Sequence, residues 1–144
     1  MIRYLLDTDV ISQASKSKPN ANVMAWLASV NDDELSISAI TVRERWEGAE
    51  RAGRARSPHF ADIAADVEAM VTAFEARILP IDRRAARLWA ALLVPDSSKA
   101  DDKAQIAVAV ANGLTLVSLN ATDIRGRGAA VLNPGRKPPK LYPA

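Results

Sequence analysis

The chain has 144 residues, which suits one domain with a sizeable core. Hydrophobic residues make up 49% and charged residues 25%, as in an ordinary globular protein, and the absence of cysteine excludes disulfides and thiolate zinc sites. The formal net charge of +2 permits a nucleic-acid partner without demanding one, and the single histidine, His59, excludes catalysis by a histidine pair.

Ile2 to Leu6 is an apolar run that meets Asp7 too early for a secretory leader and reads as a buried strand. No stretch is apolar for long enough to span a bilayer, so a cytoplasmic protein is expected. Val10 to Ser15 holds one or two helical turns, and residues 16–22 form a loop by their turn residues. Val23, Trp26, Leu27 and Val30 recur at helical spacing until Asn31-Asp32-Asp33 breaks the pattern. Leu35 to Ile40 alternates apolar residues with serine, as a strand does. A helix over Thr41 to about Ala52 stops near Gly53, and a long one over Phe60 to Ala76 carries Ile63, Val67, Met70, Val71 and Phe74 on one stripe.

Residues 78–81 read as a third strand, followed by a helix to Leu93 that Asp82 caps. Asp102 to Ala111 is an alanine-rich buried helix ended by Asn112-Gly113. Leu114 to Leu119 is a fourth strand, residues 120–128 a turn-rich loop and Ala130 to Leu132 a fifth strand. Residues 1–134 thus form the domain, and 135–144 a proline-rich extended tail. Strands alternating with helices predict a three-layer α/β/α sandwich around a four- to five-stranded parallel sheet. In such folds the ligand site lies beyond the carboxyl ends of the strands, which directs attention to Asp7 and to Ser118-Leu119-Asn120.

Four acidic positions border that crevice. Asp7 ends the first strand, with Asp9 two residues on; either serves as a helix N-cap or points into the crevice. Thr41 to Glu44 has the pattern of a capping box, yet its helix begins right after the second strand, where a carboxylate also reaches a metal. Asp101 and Asp102 open the alanine-rich helix, where the helix dipole favours acids. Asp123 lies just past the fourth strand, in a turn. Two carboxylates ~4 Å apart repel by about 4 kcal/mol at an effective dielectric of 20, so a fold that gathers four needs a cation or protons to offset the cost. All-oxygen ligands select Mg²⁺ or Mn²⁺, which activates water and neutralises charge on a phosphate during hydrolysis. Arg43, Arg45, Arg51, Arg54 and Arg56 are interleaved with Glu44, Glu47 and Glu50. They form either a solvated helix face or a basic rim for phosphates or an acidic partner.

Residues 5–12, Leu-Leu-Asp-Thr-Asp-Val-Ile-Ser, resemble the opening motif of PIN domains, particularly the VapC/FitB-type toxins, with Asp9 where that family often has Asn. Ile40 to Glu44 with Gly48 and Glu50-Arg51 is similar to its Thr-x-x-Glu segment, and Ile106-Ala107 through Val117, then Asn120 and Asp123, to its closing motif. The likeness covers about residues 2–134. It implies Mg²⁺ or Mn²⁺ held by Asp7, Glu44, Asp102 and Asp123, endonuclease activity on RNA, a homodimer, and a VapB-like antitoxin whose tail blocks the acidic groove.

Asp7 is then the central ligand, Asp102 and Asp123 complete the coordination, and Glu44 binds a second metal or orients the attacking water. Arg43, Arg45, Arg51 and Arg125 are candidates for contact with the RNA backbone. Three departures stand out. Family members carry the third acid three residues before the Ile-Ala pair, where this chain has Lys103; Asp102 is the preferred ligand, with Asp101 in reserve. Ile124 replaces a common Phe, and Ser118-Leu119 replaces Thr-Arg, leaving Ser118 to hydrogen-bond a carboxylate. Two alternatives are a haloacid-dehalogenase-like phosphatase, whose opening Asp7-Thr8-Asp9 resembles, and a catalytically inactive PIN-like binding module.

Overall fold

The computed structural model describes residues Met1–Ala144. Six strands form one sheet in the order β3-β2-β1-β4-β5-β6. They are β1 (Tyr4–Leu6), β2 (Leu35–Ser38), β3 (Ile78–Leu79), β4 (Thr115–Val117), β5 (Val131–Asn133) and β6 (Lys140–Tyr142). The first five run parallel, and β6 returns antiparallel along β5, pairing Leu132 with Leu141. The expected five strands are therefore joined by a sixth, drawn from the segment read as a tail. Its prolines flank Lys140–Tyr142 rather than interrupt it, and an edge strand tolerates them.

Seven helices cover the two faces: α1 (Thr8–Ile11), α2 (Ala21–Ser29), α3 (Ala39–Arg54), α4 (Phe60–Phe74), α5 (Arg83–Leu93), α6 (Ala100–Asn112) and α7 (Ala121–Ile124). Successive strand residues point to opposite faces, so each strand feeds two cores. Leu5, Leu116 and Val131 pack with Ile106, Val108 and Ala109 of α6 and Ile124 of α7. Leu6, Ile37 and Val117 pack with Val10, Val23 and Trp26 and with Val67, Met70 and Phe74 of α4. The serines of β2 face the α6 side and are fully buried; Ser36 settles its hydroxyl on the Tyr4 carbonyl at 2.8 Å.

Two helix starts decide the site. Asp82 caps α5, accepting from the Ala85 N–H at 2.8 Å, as the sequence predicts. The capping box from Thr41 to Glu44 does not form. Ser38 is the N-cap of α3, accepting from the Thr41 N–H at 3.4 Å, so the helix begins earlier and Glu44 falls in its second turn. A carboxylate released from capping is free to face the crevice. At the far end of α6, Gly113 takes the left-handed conformation (φ +66°) that ends the helix, as the Asn-Gly pair predicts.

Candidate active site

The sheet order changes direction beside β1, whose neighbours β2 and β4 lie on opposite sides. Asp7 leaves the carboxyl end of β1 there, and its N–H donates to the Val117 carbonyl of β4 at 2.9 Å. Its side chain is 6% exposed. Oδ1 accepts from the Thr8 N–H at 2.8 Å, so Asp7 does cap α1, while Oδ2 accepts from the Ser118 hydroxyl at 2.9 Å. Burial, and then the nearby Asp9 charge, push the Asp7 carboxyl up to about 7, against the opposing hydrogen bonds of Ser118 and Thr8.

Asp9 stands beside it. One oxygen, Oδ2, accepts from the Leu119 N–H at 3.2 Å and lies 3.4 Å from the Ser118 hydroxyl. The other, Oδ1, is buried and has no hydrogen-bond partner. Burial raises this carboxyl also. Ser118 is thus the pin of the inner pair. Its hydroxyl faces both carboxylates, and its oxygen accepts from the Asn120 N–H at 3.0 Å. Asn120 enters through its backbone alone.

Glu44 is held from below. The Thr8 hydroxyl donates to its Oε1 at 3.1 Å and lies 3.0 Å from the Thr41 hydroxyl. Thr41 in turn accepts from the Gln105 amide at 2.8 Å, and Gln105 accepts from Ser38 at 2.7 Å. All three members of this inner chain, Ser38, Thr41 and Gln105, are buried. Sequence reasoning missed it, although Gln105, a polar residue three positions after Asp102 at the start of the apolar run of α6, was a visible signal. Burial raises the Glu44 carboxyl, and Asp101 and Asp102 add to that.

The adjacent acids of α6 have separate fates. Asp101 forms a two-pronged ion pair with Arg43, at 3.2 and 2.5 Å. Asp102 has no ion pair, and it is the acid whose charge reaches Asp7, Asp9 and Glu44. Burial raises its own carboxyl, while Lys99 and Arg127 pull the other way. Lys103 is 3% exposed and turned onto the loop before α6, with its ammonium on the Asp96 carbonyl and 3.6 Å from the Asp96 carboxylate. Asp123, at the end of the series, is exposed and lies 3.4 Å from the Lys99 ammonium. Of the arginines expected on RNA, Arg43 and Arg51 both pair with Glu47, and Arg45 donates to the hydroxyls of Ser12 and Ser15. Arg125 lies over the Tyr142 ring, 5.0 Å from its centre.

Asp7, Asp9, Asp102 and Glu44 therefore share one electrostatic neighbourhood, at whose margin Asp101 and Asp123 are each paired with a cation of the chain itself. No group of three such side chains is gathered tightly enough, as it stands, to hold a metal ion. The inner pair nevertheless suits a hard divalent cation: its donors are all oxygen, two like charges adjoin, and Asp9 Oδ1 is buried without a partner.

The PIN-domain family profile matches residues 4–125, which span every one of these acids. The chain belongs to the PIN-domain family. It is 33% identical over 137 residues to the VapC ribonuclease Y4jK of Sinorhizobium fredii, covering 90% of this chain and 96% of that one. Toxin FitB of Neisseria gonorrhoeae is 34% identical over 86 residues, 60% of this chain and 61% of FitB. The crystal structure of FitAcB from the same organism superposes with a TM-score of 0.79 at 28% identity, covering 91% and 97%. The PIN assignment removes the haloacid-dehalogenase alternative, which rested on Asp7-Thr8-Asp9 alone. This PIN domain carries the expected sandwich, with β5 and β6 lying beyond the matched residues.

Proposed function

We propose that this PIN domain is a metal-dependent endoribonuclease acting as the toxin of a type II toxin–antitoxin pair. The observation that carries the reading is the pairing of Asp7, buried at the carboxyl end of β1, with Asp9 and its orphaned oxygen. Similarity to a VapC ribonuclease and to Toxin FitB supports the activity and the role. A VapB-like antitoxin and a homodimer belong to the same proposal.

Asp7 and Asp102 would hold Mg²⁺ or Mn²⁺, with Asp9 beside them and Glu44 and Asp123 completing the set. Bound there, the ion would acidify water and offset charge on the phosphate. The chain's own groups do the rest. Ser118 holds Asp7 Oδ2 and Asp9 Oδ2 in one orientation. Thr8 holds Glu44 Oε1 and leaves Oε2 available to take a proton from the attacking water. A carboxylate raised by burial is a stronger base for that task.

A second reading, a PIN-fold binding module without catalysis, is favoured by the ungathered acids and by Lys103, which stands three residues before Ile106, at one of the two spacings that the resemblance allows for an acid. Incubation of labelled RNA with Mg²⁺, with Mn²⁺ and with chelator, wild type beside Asp7→Asn, decides between them. The nuclease reading expects ion-dependent cleavage by wild type alone. Intact RNA in every lane, with an RNA known to be bound, would establish the binding module.

A further inference from the structure

The protein's excess of positive charge lies entirely in its last 21 residues. Residues 124–144 carry five cations (Arg125, Arg127, Arg136, Lys137 and Lys140) and no acid, leaving 14 cations against 17 acids in residues 1–123. Four of the five lie beyond the family match, which ends at Arg125. Folding concentrates them. Strand β6 returns Lys140 along β5, where it and Arg125 each lie 5.0 Å from the centre of the Tyr142 ring. Arg136 and Lys137 are exposed and make neither an ion pair nor a side-chain hydrogen bond.

This edge adjoins the crevice. Strand β5 runs parallel to β1 and β4, so the turn after Asn133 emerges at the same end of the sheet as Asp7 and Ser118. Gly135 seats that turn: a Cβ there would come within 2.8 Å of the Leu119 side chain, and its carbonyl accepts from Asn22 at 2.9 Å. Leu119 is the residue whose N–H holds Asp9. The path from the buried acids to Arg136 is therefore continuous through Leu119 and Gly135. Arg136 and Lys137 then line a cleft of about 250 Å³ with Asn22 and Trp26.

We propose that this C-terminal edge, from Arg125 to Lys140, is a track for the phosphate backbone of single-stranded RNA leading to the crevice. The inference deepens the nuclease reading and rests on it for the choice of RNA. An acidic crevice repels its own polyanionic substrate, and an adjacent strip of cations in no ion pair supplies the attraction that the crevice lacks. Arg43 and Arg51 are less available for this, because acids on their own helix engage them.

The test reads binding without cleavage. A roughly 20-nucleotide RNA is titrated in chelator, which withholds the ion that cleavage needs, at several salt concentrations against wild type and the triple variant Arg136→Gln, Lys137→Gln, Lys140→Gln. Each phosphate contact contributes about 0.7 to the slope of log affinity against log salt for a single strand, so the variant's slope is expected to fall by about 2. A charge-preserving Arg136→Lys, Lys137→Arg, Lys140→Arg variant is expected to keep the wild-type slope, which separates charge from folding. An unchanged slope in the neutral variant overturns the track. So does selective loss of binding to an acidic peptide such as poly-glutamate, which would make the edge a protein-docking surface. Failure of the nuclease reading shows differently, as a normal slope with no cleavage of ordinary RNA.

Discussion

Gln105 donates to the Thr41 hydroxyl at 2.8 Å and thereby ties the middle of α6 to the first turn of α3. The contact is buried on both sides and continues through Thr8 to Glu44. Removing its partners leaves buried hydroxyls unsatisfied. Gln105→Leu should therefore cost about 1–3 kcal/mol of stability. It should also lower kcat more than KM, because Glu44 loses its fixed orientation while the basic edge is untouched. Chemical denaturation and steady-state cleavage measure the two effects. A variant with lost stability and unchanged kcat per folded molecule would show that the chain is structural only.

The raised carboxyls predict how ion-free protein responds to pH. Asp7 sits at about 7 in the fold, against 3.8 as its ordinary value. Between those values the folded state holds more protons than the unfolded chain, so stability is greatest below the lower one. It is lost as pH rises through the higher one, at up to 1.36 kcal/mol per unit for each such group. Asp9, Glu44 and Asp102 are raised too and act in the same direction. Melting in chelator should therefore show Tm falling from about pH 5 to about pH 8. Asp7→Asn should flatten that slope, and Mn²⁺ should restore Tm in the wild type by mass action. A wild-type Tm that rises over this window would contradict the assigned burial.

Ser118 predicts a related effect on a single group. Its hydroxyl is the bond that most favours the charged form of Asp7. Ser118→Ala should push that carboxyl higher still and shift the acid limb of the cleavage profile to higher pH. A pH–rate comparison with wild type checks it, and an unshifted acid limb would mean that Asp7 does not govern it.

Lys103 predicts a change at a distance from the crevice. Its buried ammonium fastens the loop around Asp96, on which Lys99 and its contact with Asp123 depend. Lys103→Met keeps the stem and removes the charge, leaving the Asp96 carbonyl without its partner. A loss of about 1–3 kcal/mol is expected, with faster hydrogen exchange in residues 94–100. Unaltered exchange there would show that the loop is held by other contacts.

Much of this arrangement was legible in the chain. The run from Ile2 to Leu6 ending in an acid marked both the first strand and its carboxyl end, because periodicity and strand termini are local signals. The start of α3 was not legible. Thr41 has the right spacing from Glu44 for a capping box, but Ser38, equally able to cap, sits at the end of β2 and takes the role. The separate surroundings of Asp101 and Asp102 were not legible either: neighbours in sequence point some 100° apart on a helix, and here Asp101 turns to Arg43 while Asp102 makes no ion pair. Strand β6 was hidden because prolines dominate its surroundings, and only pairing with β5 reveals the three residues between them.

The central claim is that carboxylates from separate elements hold one divalent ion at the end of β1. Anomalous diffraction from Mn²⁺-soaked crystals tests it most directly. The account predicts a peak in contact with Asp7 and within reach of Asp102, absent from Asp7→Asn crystals. No peak at Asp7 under saturating Mn²⁺, or an equal peak in the variant, would contradict it.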